Sequence, residues 1–424
     1  MVRAGTALVI GRKLGEGGQG AVYEVVVGGK SLAVKWLRPS PLEAEQRQAI
    51  GRLTSHSRPH RAFAWPIDLV ESNEVGGFGY LMPMMERRFQ SLAALLNEPR
   101  QPSFRTLIAI ARNLVDAFSS LHAAGLCYRD INFGNLRVDP GTAEVMIIDN
   151  DNVGTDGDAA FVKGTRRFMA PEIVRGEALP SSRTDFYSLA VLLFLLLVHG
   201  HPLEGRRVVA SYDWAAGEES ELMVEHFGRE PLFVFDPVDV SNRPLPDDPM
   251  ARWWPVYPVF LRLLFERSFT TGIVDPSSPD RCSEGRWRRA LNHLADCIWI
   301  CGACRAALFW DPDEPSRPCW ACGLVNESPY RLELAGRSIV LVDGTPVTAE
   351  AGKSSLEPDP RELLAMTERH PALPGQLVIR NLTDSPWIVA PVSEEVKVVR
   401  PGQRVALRPM EIDFGHTQGR IGRT

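Results

Sequence analysis

Residues 8–37 read as strands punctuated by glycine. Two β-rich runs, 21–27 and 31–37, flank Gly28-Gly29. A two-residue glycine loop is a strong hairpin signal, because the favoured turn needs positive φ at both positions. A short helix is predicted over 42–53, then more strand-like sequence with Gly76-Gly77 as a second turn. From residue 104 the period changes. Phe104, Leu107, Ile108, Ala111, Leu114, Val115, Phe118 and Leu121 keep spacings of three and four, and Gly125 closes the run. Helices are expected to dominate from there to about residue 295, with two short strands bracketing a loop at 128–135. The apolar run 189–198 has about half the ~20 residues a membrane span needs, so it reads as a helix buried within a domain. The pattern predicts an α+β chain, a small β-rich lobe followed by a larger helical one.

Past residue 330 the pattern turns to strands again, at 338–342, 376–381, 395–399 and 404–407, separated by Gly, Pro, Asp and Asn. This predicts a small all-β domain, with a helix over 361–368 in its longest connection. The expected boundaries are 1–85 and 86–296 for the two lobes, 297–325 for a cysteine-bearing insert and 326–424 for the β-domain.

Composition narrows the class. The 424 residues, 44% hydrophobic and 23% charged, suit a soluble globular protein of about two to four domains. A net charge of −5 argues against wholesale binding to nucleic acid or anionic membrane. The first residues lack the apolar core of a signal peptide, so a cytoplasmic location is expected. Seven cysteines, an odd number without an export signal, point to a reducing compartment and to metal rather than disulfides.

The candidate chemistry lies in one ordered series. Gly15-x-Gly17-Gly18-x-Gly20-x-Val22 forms a loop between strands whose amides can approach phosphate without Cβ obstruction. Ala33-Val34-Lys35 places an ammonium in an apolar strand, where it needs a partner; Glu45 on the next helix is the first choice and Glu43 the second. Then come Tyr128-Arg129-Asp130-Ile131-Asn132-Phe133-Gly134-Asn135, Asp149-Asn150-Asp151 and Gly164-Thr165 through Ala170-Pro171-Glu172.

In order and spacing this series resembles the Hanks-type Ser/Thr protein kinases, to about residue 295. The resemblance implies a bilobal kinase fold that transfers the γ-phosphoryl group of ATP with Mg²⁺. Gly15, Gly17, Gly18, Gly20, Val22, Ala33, Lys35, Met82 and Met84 would bind nucleotide, with Glu45 holding Lys35. Asp130 would orient the substrate hydroxyl, and Asn135 and Asp149 would hold Mg²⁺, with Asp151 the alternative to Asp149. Glu172 should pair with Arg281, and Asp185 should brace the catalytic loop. Arg129 would face a phosphorylated Thr155, or else Asp156 or Asp158, while Thr165 would be a fixed hydroxyl near Asp130.

Further segments, including Ala64-Trp65-Pro66, Asp149-Asn150-Asp151 and Pro231 through Pro237, resemble the bacterial kinase of the tellurite-resistance-type (TerY-P) phosphorylation triad. That branch implies a von Willebrand A-domain protein and a metal-dependent phosphatase as partners. Two departures stand out. Asn132 replaces the lysine that touches the γ-phosphate, which leaves a non-catalytic, nucleotide-binding scaffold as the alternative. Asn150-Asp151 replaces the usual Phe-Gly. A small-molecule kinase is disfavoured, because 164–172 builds a peptide-docking surface such enzymes do not need.

Cys301-x2-Cys304 and Cys319-x2-Cys322, fourteen residues apart, are two knuckles whose four thiolates match tetrahedral Zn²⁺ in a zinc ribbon. With two arginines against three acids, residues 297–325 carry no phosphate footprint. Trp299, Trp310 and Trp320 are expected to pack the ribbon on a neighbour. The tail has a weaker resemblance to forkhead-associated β-sandwiches through Leu377 to Asn381, Val399 to Gly402 and Ile412 to Gly415. Gly336-Arg337-Ser338 is the faint echo of that family's phosphothreonine-reading loop. A plain capping β-domain is the other reading.

Overall fold

Gly28 (φ +56°) and Gly29 (φ +77°) join strand Gly20–Val27 to strand Lys30–Leu37, with Val27 opposite Lys30. Positive φ at both positions matches the turn to the strand twist. The computed structural model describes residues 2–3, 6–98, 101–157, 164–211, 221–348, 363–373, 375–392 and 394–423. This hairpin is the middle of a five-stranded antiparallel sheet, ordered Ile10–Glu16, Gly20–Val27, Lys30–Leu37, Phe78–Pro83, Asp68–Val70. Its register sets Lys35 opposite Val22 on one side and Tyr80 on the other. Helix Glu43–Ser55 buries Ile50 and Leu53 and leaves its acidic first turn outside the core.

The helical lobe centres on Ser182–Val198. A capping box opens it, Ser181 and Thr184 bonding each other's backbone N–H, and the 189–198 run is buried except for half-buried Leu195. Two buried ionic joints fix this lobe. Glu172 meets Arg281, whose Nη2 lies 3.2 Å from Oε2 and whose Nε donates to the Gly272 carbonyl. Asp185 accepts from the backbone N–H of Tyr128 at 2.6 Å and of Arg129 at 3.2 Å, and it also pairs with His122 Nε2 at 3.0 Å. The other imidazole nitrogen of His122 meets Glu284.

By contacts the chain divides into two compact units: 1–102, 110–249 and 265–285 in one, 103–109, 250–264 and 286–424 in the other. Across the expected boundary at 296, 250–264 and 297–325 fall in one unit. The backbone N–H of Val259 donates to Asp311, Arg317 donates to the carbonyls of Val256 and Tyr257, and the rings of Trp253 and Trp320 lie 5.1 Å apart. The segment's own core is small, Cys301, Leu308 and Cys319, and these contacts with 250–264 add to it.

The tail is all β. One sheet has six strands, Arg337–Val340, Arg331–Leu334, Gln418–Gly422, Met410–Asp413, Trp387–Pro391 and Lys397–Val399 in order; the other has four, Pro346–Thr348, Leu363–Arg369, Leu377–Asn381 and Arg404–Ala406. Leu332, Ile339, Trp387, Ile412 and Ile421 sit in their shared core. The helix expected over 361–368 is corrected: Leu363–Arg369 is a central strand, and 361–362 lie outside the described residues. Pairing on both sides, Ala365 with Val347 and with Asn381, overrides a helical reading of Leu-Leu-Ala-Met.

Burial works against a charged His122, but Asp185 and Glu284 outweigh it and push its pKa up to about 9. The folded value lies above the ordinary 6.5, so this stabilisation is fully present below pH 6.5 and is lost as pH rises through 9. The stability gap between wild type and His122→Gln, read by urea denaturation, should shrink by ~3 kcal/mol between pH 6 and 10. A gap independent of pH would mean the imidazole is neutral.

Candidate active site

Lys35 is 6% exposed on the central strand, so its ammonium requires anions. Its Nζ lies 2.9 and 3.1 Å from the two carboxylate oxygens of Asp151 and 3.3 Å from Asp149 Oδ1. Tyr80, its register partner, donates its hydroxyl to Asp151 Oδ1 at 2.8 Å. Burial pushes the Lys35 pKa down, but Asp151 and then Asp149 outweigh it and hold the value above the ordinary one. Burial foremost, then Asp151, pushes the Tyr80 phenol well up. The expected pairing with Glu45 is corrected. Glu45 is exposed, and Glu43 faces Arg47 at 3.5 Å. The helix spends its buried face on Ile50 and Leu53, whereas Asp151, 8% exposed, brings a carboxylate beneath the sheet.

The glycine loop joins strands Ile10–Glu16 and Gly20–Val27. A Cβ at Gly15, Gly17 or Gly18 would meet nothing within 4 Å, so backbone there borders open space. At Gly20 it would lie 2.0 Å from the Trp36 carbonyl, so that glycine is required by the sheet. Ala33 lies opposite Met82 in the register, Val22 opposite Lys35, and half-buried Met84 follows the Phe78–Pro83 strand.

The catalytic-loop residues come together as expected. One Asp130 oxygen accepts from the Thr165 backbone N–H at 3.0 Å and hydroxyl at 3.2 Å; the other accepts from Asn135 Nδ2 at 3.2 Å and Asn152 Nδ2 at 3.5 Å. Asn135 Nδ2 also donates to the Asp130 carbonyl. The Asn132 side chain serves the loop itself: Oδ1 accepts from the N–H groups of Gly134 and Asn135, and Nδ2 donates to the Asp130 carbonyl. Tyr128 is buried, donates its hydroxyl to the Ile148 carbonyl and ties the loop to Asp149. Asp149 has left-handed backbone, φ +58° and ψ +47°, and its side chain is 42% exposed.

The segment beyond is fixed by backbone contacts. Burial lowers the His201 pKa to about 4, leaving a neutral ring that donates to the Arg167 carbonyl at 2.7 Å and accepts from the Leu203 N–H. Arg129 donates to the Thr155 carbonyl at 3.2 Å, while Asp156 accepts from Ser182. Asp158 lies outside the described residues. Sequence reasoning missed His122, Asn152 and the Tyr80 hydroxyl. Only Tyr80 had a signal, its place opposite Lys35.

The Sγ atoms of Cys301, Cys304, Cys319 and Cys322 all lie within 4.8 Å of one another. Cys301 to Cys322 and Cys304 to Cys319 are each 3.7 Å, far beyond a disulfide bond and close to the ~3.8 Å edge of a tetrahedron with 2.3 Å metal–sulfur bonds. Backbone N–H groups of Cys304 and Ala303 lower the Cys301 pKa to about 6. Trp320 Nε1 bonds the Ala307 carbonyl across the ribbon.

The protein kinase domain family matches residues 8–226. Protein kinase YegI of Escherichia coli K12 is 25% identical over 363 residues, covering 82% of this chain and 53% of its own length. Serine/threonine-protein kinase pkn3 of Myxococcus xanthus is 26% identical over 212 residues, 46% of this chain and 38% of its own. CBL-interacting protein kinase 28 of Oryza sativa subsp. japonica is 27% identical over 241 residues, 52% of each chain. The chain thus spans about half the length of the curated relatives it matches. No helix among the described residues is long and apolar enough to cross a membrane. Since the matched domain takes in more than half of the sequence and carries Lys35, Asp130, Asn135 and Asp149 in one constellation, the chain belongs to the protein kinase family.

Proposed function

We propose that this chain is a Mg²⁺- and ATP-dependent Ser/Thr protein kinase of bacterial signalling, working in the cytoplasm on itself and on a partner protein. The observation that carries the reading is Asp130. Its carboxylate is held on one oxygen by Asn135 and on the other by Thr165, at the start of the segment ending in Ala170-Pro171-Glu172. A carboxylate fixed beside a peptide-docking segment suits the orientation of a substrate hydroxyl and the receipt of its proton.

The residues present fit the nucleotide and its metal. Gly15, Gly17 and Gly18 border open space that phosphate oxygens can enter, the Gly17 N–H itself being given to the Gly20 carbonyl at 2.9 Å, and Lys35 offers a cation. The Asp149 carboxylate and the Asn135 amide oxygen are hard donors of the kind Mg²⁺ takes, with Asn135 Nδ2 committed to Asp130. Mg-ATP, when bound, supplies the transferable phosphoryl group and the charge that neutralises it. Asp130→Asn should lower transfer from γ-labelled ATP by about a thousandfold while nucleotide binding persists, measured by label incorporation and by titration with a fluorescent ATP analogue.

A second reading, a nucleotide-binding scaffold without chemistry, draws on Asn132. Its side chain is spent on loop backbone, so no cation stands beside Asp130 at that position. Wild-type chain that binds ATP yet labels neither itself nor a generic basic protein would favour it.

The similarity to Escherichia coli YegI over most of the chain supports a bacterial setting. Within it we assign the chain to the tellurite-resistance-type triad, with a von Willebrand A-domain protein and a metal-dependent phosphatase as partners and neither nucleic acid nor membrane as ligand. The four cysteines are assigned to structural Zn²⁺. Elemental analysis should find one zinc per wild-type chain and none after Cys304→Ser, whose thermal transition should fall by several degrees. The phosphothreonine-reading loop of forkhead-associated domains gains no support at Gly336-Arg337-Ser338. Arg337 is held by Asp296 at 2.8 and 3.0 Å, and Ser338 bonds Glu333. A capping or docking sandwich is the better reading.

A further inference from the structure

A kinase lysine is useful only if held where phosphate will sit, and a carboxylate on the following helix is the usual means of holding it. That carboxylate is missing from the pair here, since Glu45 is exposed and Glu43 faces Arg47. On the kinase reading above, we propose that Asp151, seated by Tyr80, is the positioning residue that fixes Lys35 in place of the helix glutamate.

Four observations support this. Lys35 Nζ reaches both oxygens of Asp151, at 2.9 and 3.1 Å, but only one of Asp149, at 3.3 Å. Asp151 is 8% exposed and Asp149 42%, so the buried carboxylate is the one that needs the ammonium, while Asp149 keeps a face toward solvent for a metal. Tyr80 lies directly across the sheet from Lys35, and its hydroxyl bonds Asp151 Oδ1 at 2.8 Å, so two neighbouring strand residues converge on one carboxylate. The turn carrying Asp151 is fixed locally, Asn150 Nδ2 donating to the Ile147 carbonyl and the Val153 N–H to the Asn150 carbonyl, both at 3.1 Å. Nothing in this set belongs to helix Glu43–Ser55. Among the described residues the lysine is therefore not held by a carboxylate of that helix, although the helix packs against the 150–152 turn that carries Asp151. Lysine anchor and metal carboxylate are instead two residues apart on one turn.

The test uses full-length chain with Asp151→Asn, Tyr80→Phe, Glu45→Gln and Asp149→Asn. The first readout needs no activity: trinitrobenzenesulfonate labelling of Lys35 at pH 8, mapped by peptide mass spectrometry. Asp151→Asn should raise the labelling rate about tenfold and Tyr80→Phe two- to threefold, with Glu45→Gln at the wild-type rate. The second readout is transfer kinetics against Mg²⁺ concentration. Asp151→Asn should lower kcat at least tenfold without moving the Mg²⁺ concentration for half-maximal rate, whereas Asp149→Asn should raise that concentration. Labelling of Asp151→Asn at the wild-type rate, a labelling increase in Glu45→Gln, or a raised Mg²⁺ requirement in Asp151→Asn would overturn the proposal. Should wild type transfer no phosphate, the kinase reading fails, and labelling still decides the anchor.

Discussion

One buried ammonium organises the nucleotide-facing half of this protein. Lys35 stands on the central strand of a five-stranded sheet, where an unpaired charge would be too expensive to keep. Its need for anions draws Asp149 and Asp151 beneath the sheet, and the register of strand Phe78–Pro83 against Lys30–Leu37 puts the Tyr80 hydroxyl beside it. The link between sheet and helical lobe is thus ionic and hydrogen-bonded at its centre, and its partners are the acids that the proposed chemistry requires.

A second charge cluster does for the catalytic loop what Lys35 does for the sheet. Asp185 takes two consecutive backbone N–H groups and shares His122 with Glu284, so three separate stretches of chain meet at one imidazole. Arg129, with φ +71°, is held in left-handed backbone at this point, which turns Asp130 toward Asn135 and Thr165. Strained backbone persists where several bonds over-determine it.

Much of this was legible in the residues. The Gly28-Gly29 hairpin and the buried 189–198 helix follow from local pattern, and the Glu172–Arg281 joint and the meeting of Asp185 with the loop from the resemblance to protein kinases. What escaped depends on which face of an element is turned inward. Glu45 and Asp151 are both acids near Lys35 in plausible positions, and only packing decides between a helix that buries Ile50 and a turn that buries a carboxylate. Leu363–Arg369 failed as a helix for a related reason: pairing with Pro346–Thr348 on one side and Leu377–Asn381 on the other decides its state, and its own residues do not show that pairing. His122 carries no signal, since a lone histidine on a helix says nothing about two acids more than sixty residues away.

The shared core of the cysteine ribbon sets where this protein can be cut. Trp320 and Trp253 shield each other, Asp311 caps the backbone at Val259, and Arg317 closes the carbonyls of Val256 and Tyr257. A chain ended at residue 296 would lose the Asp311, Arg317 and Trp320 side of these contacts. A boundary drawn at 296 therefore runs through one compact unit, in which 250–264 and the cysteine-bearing segment belong together.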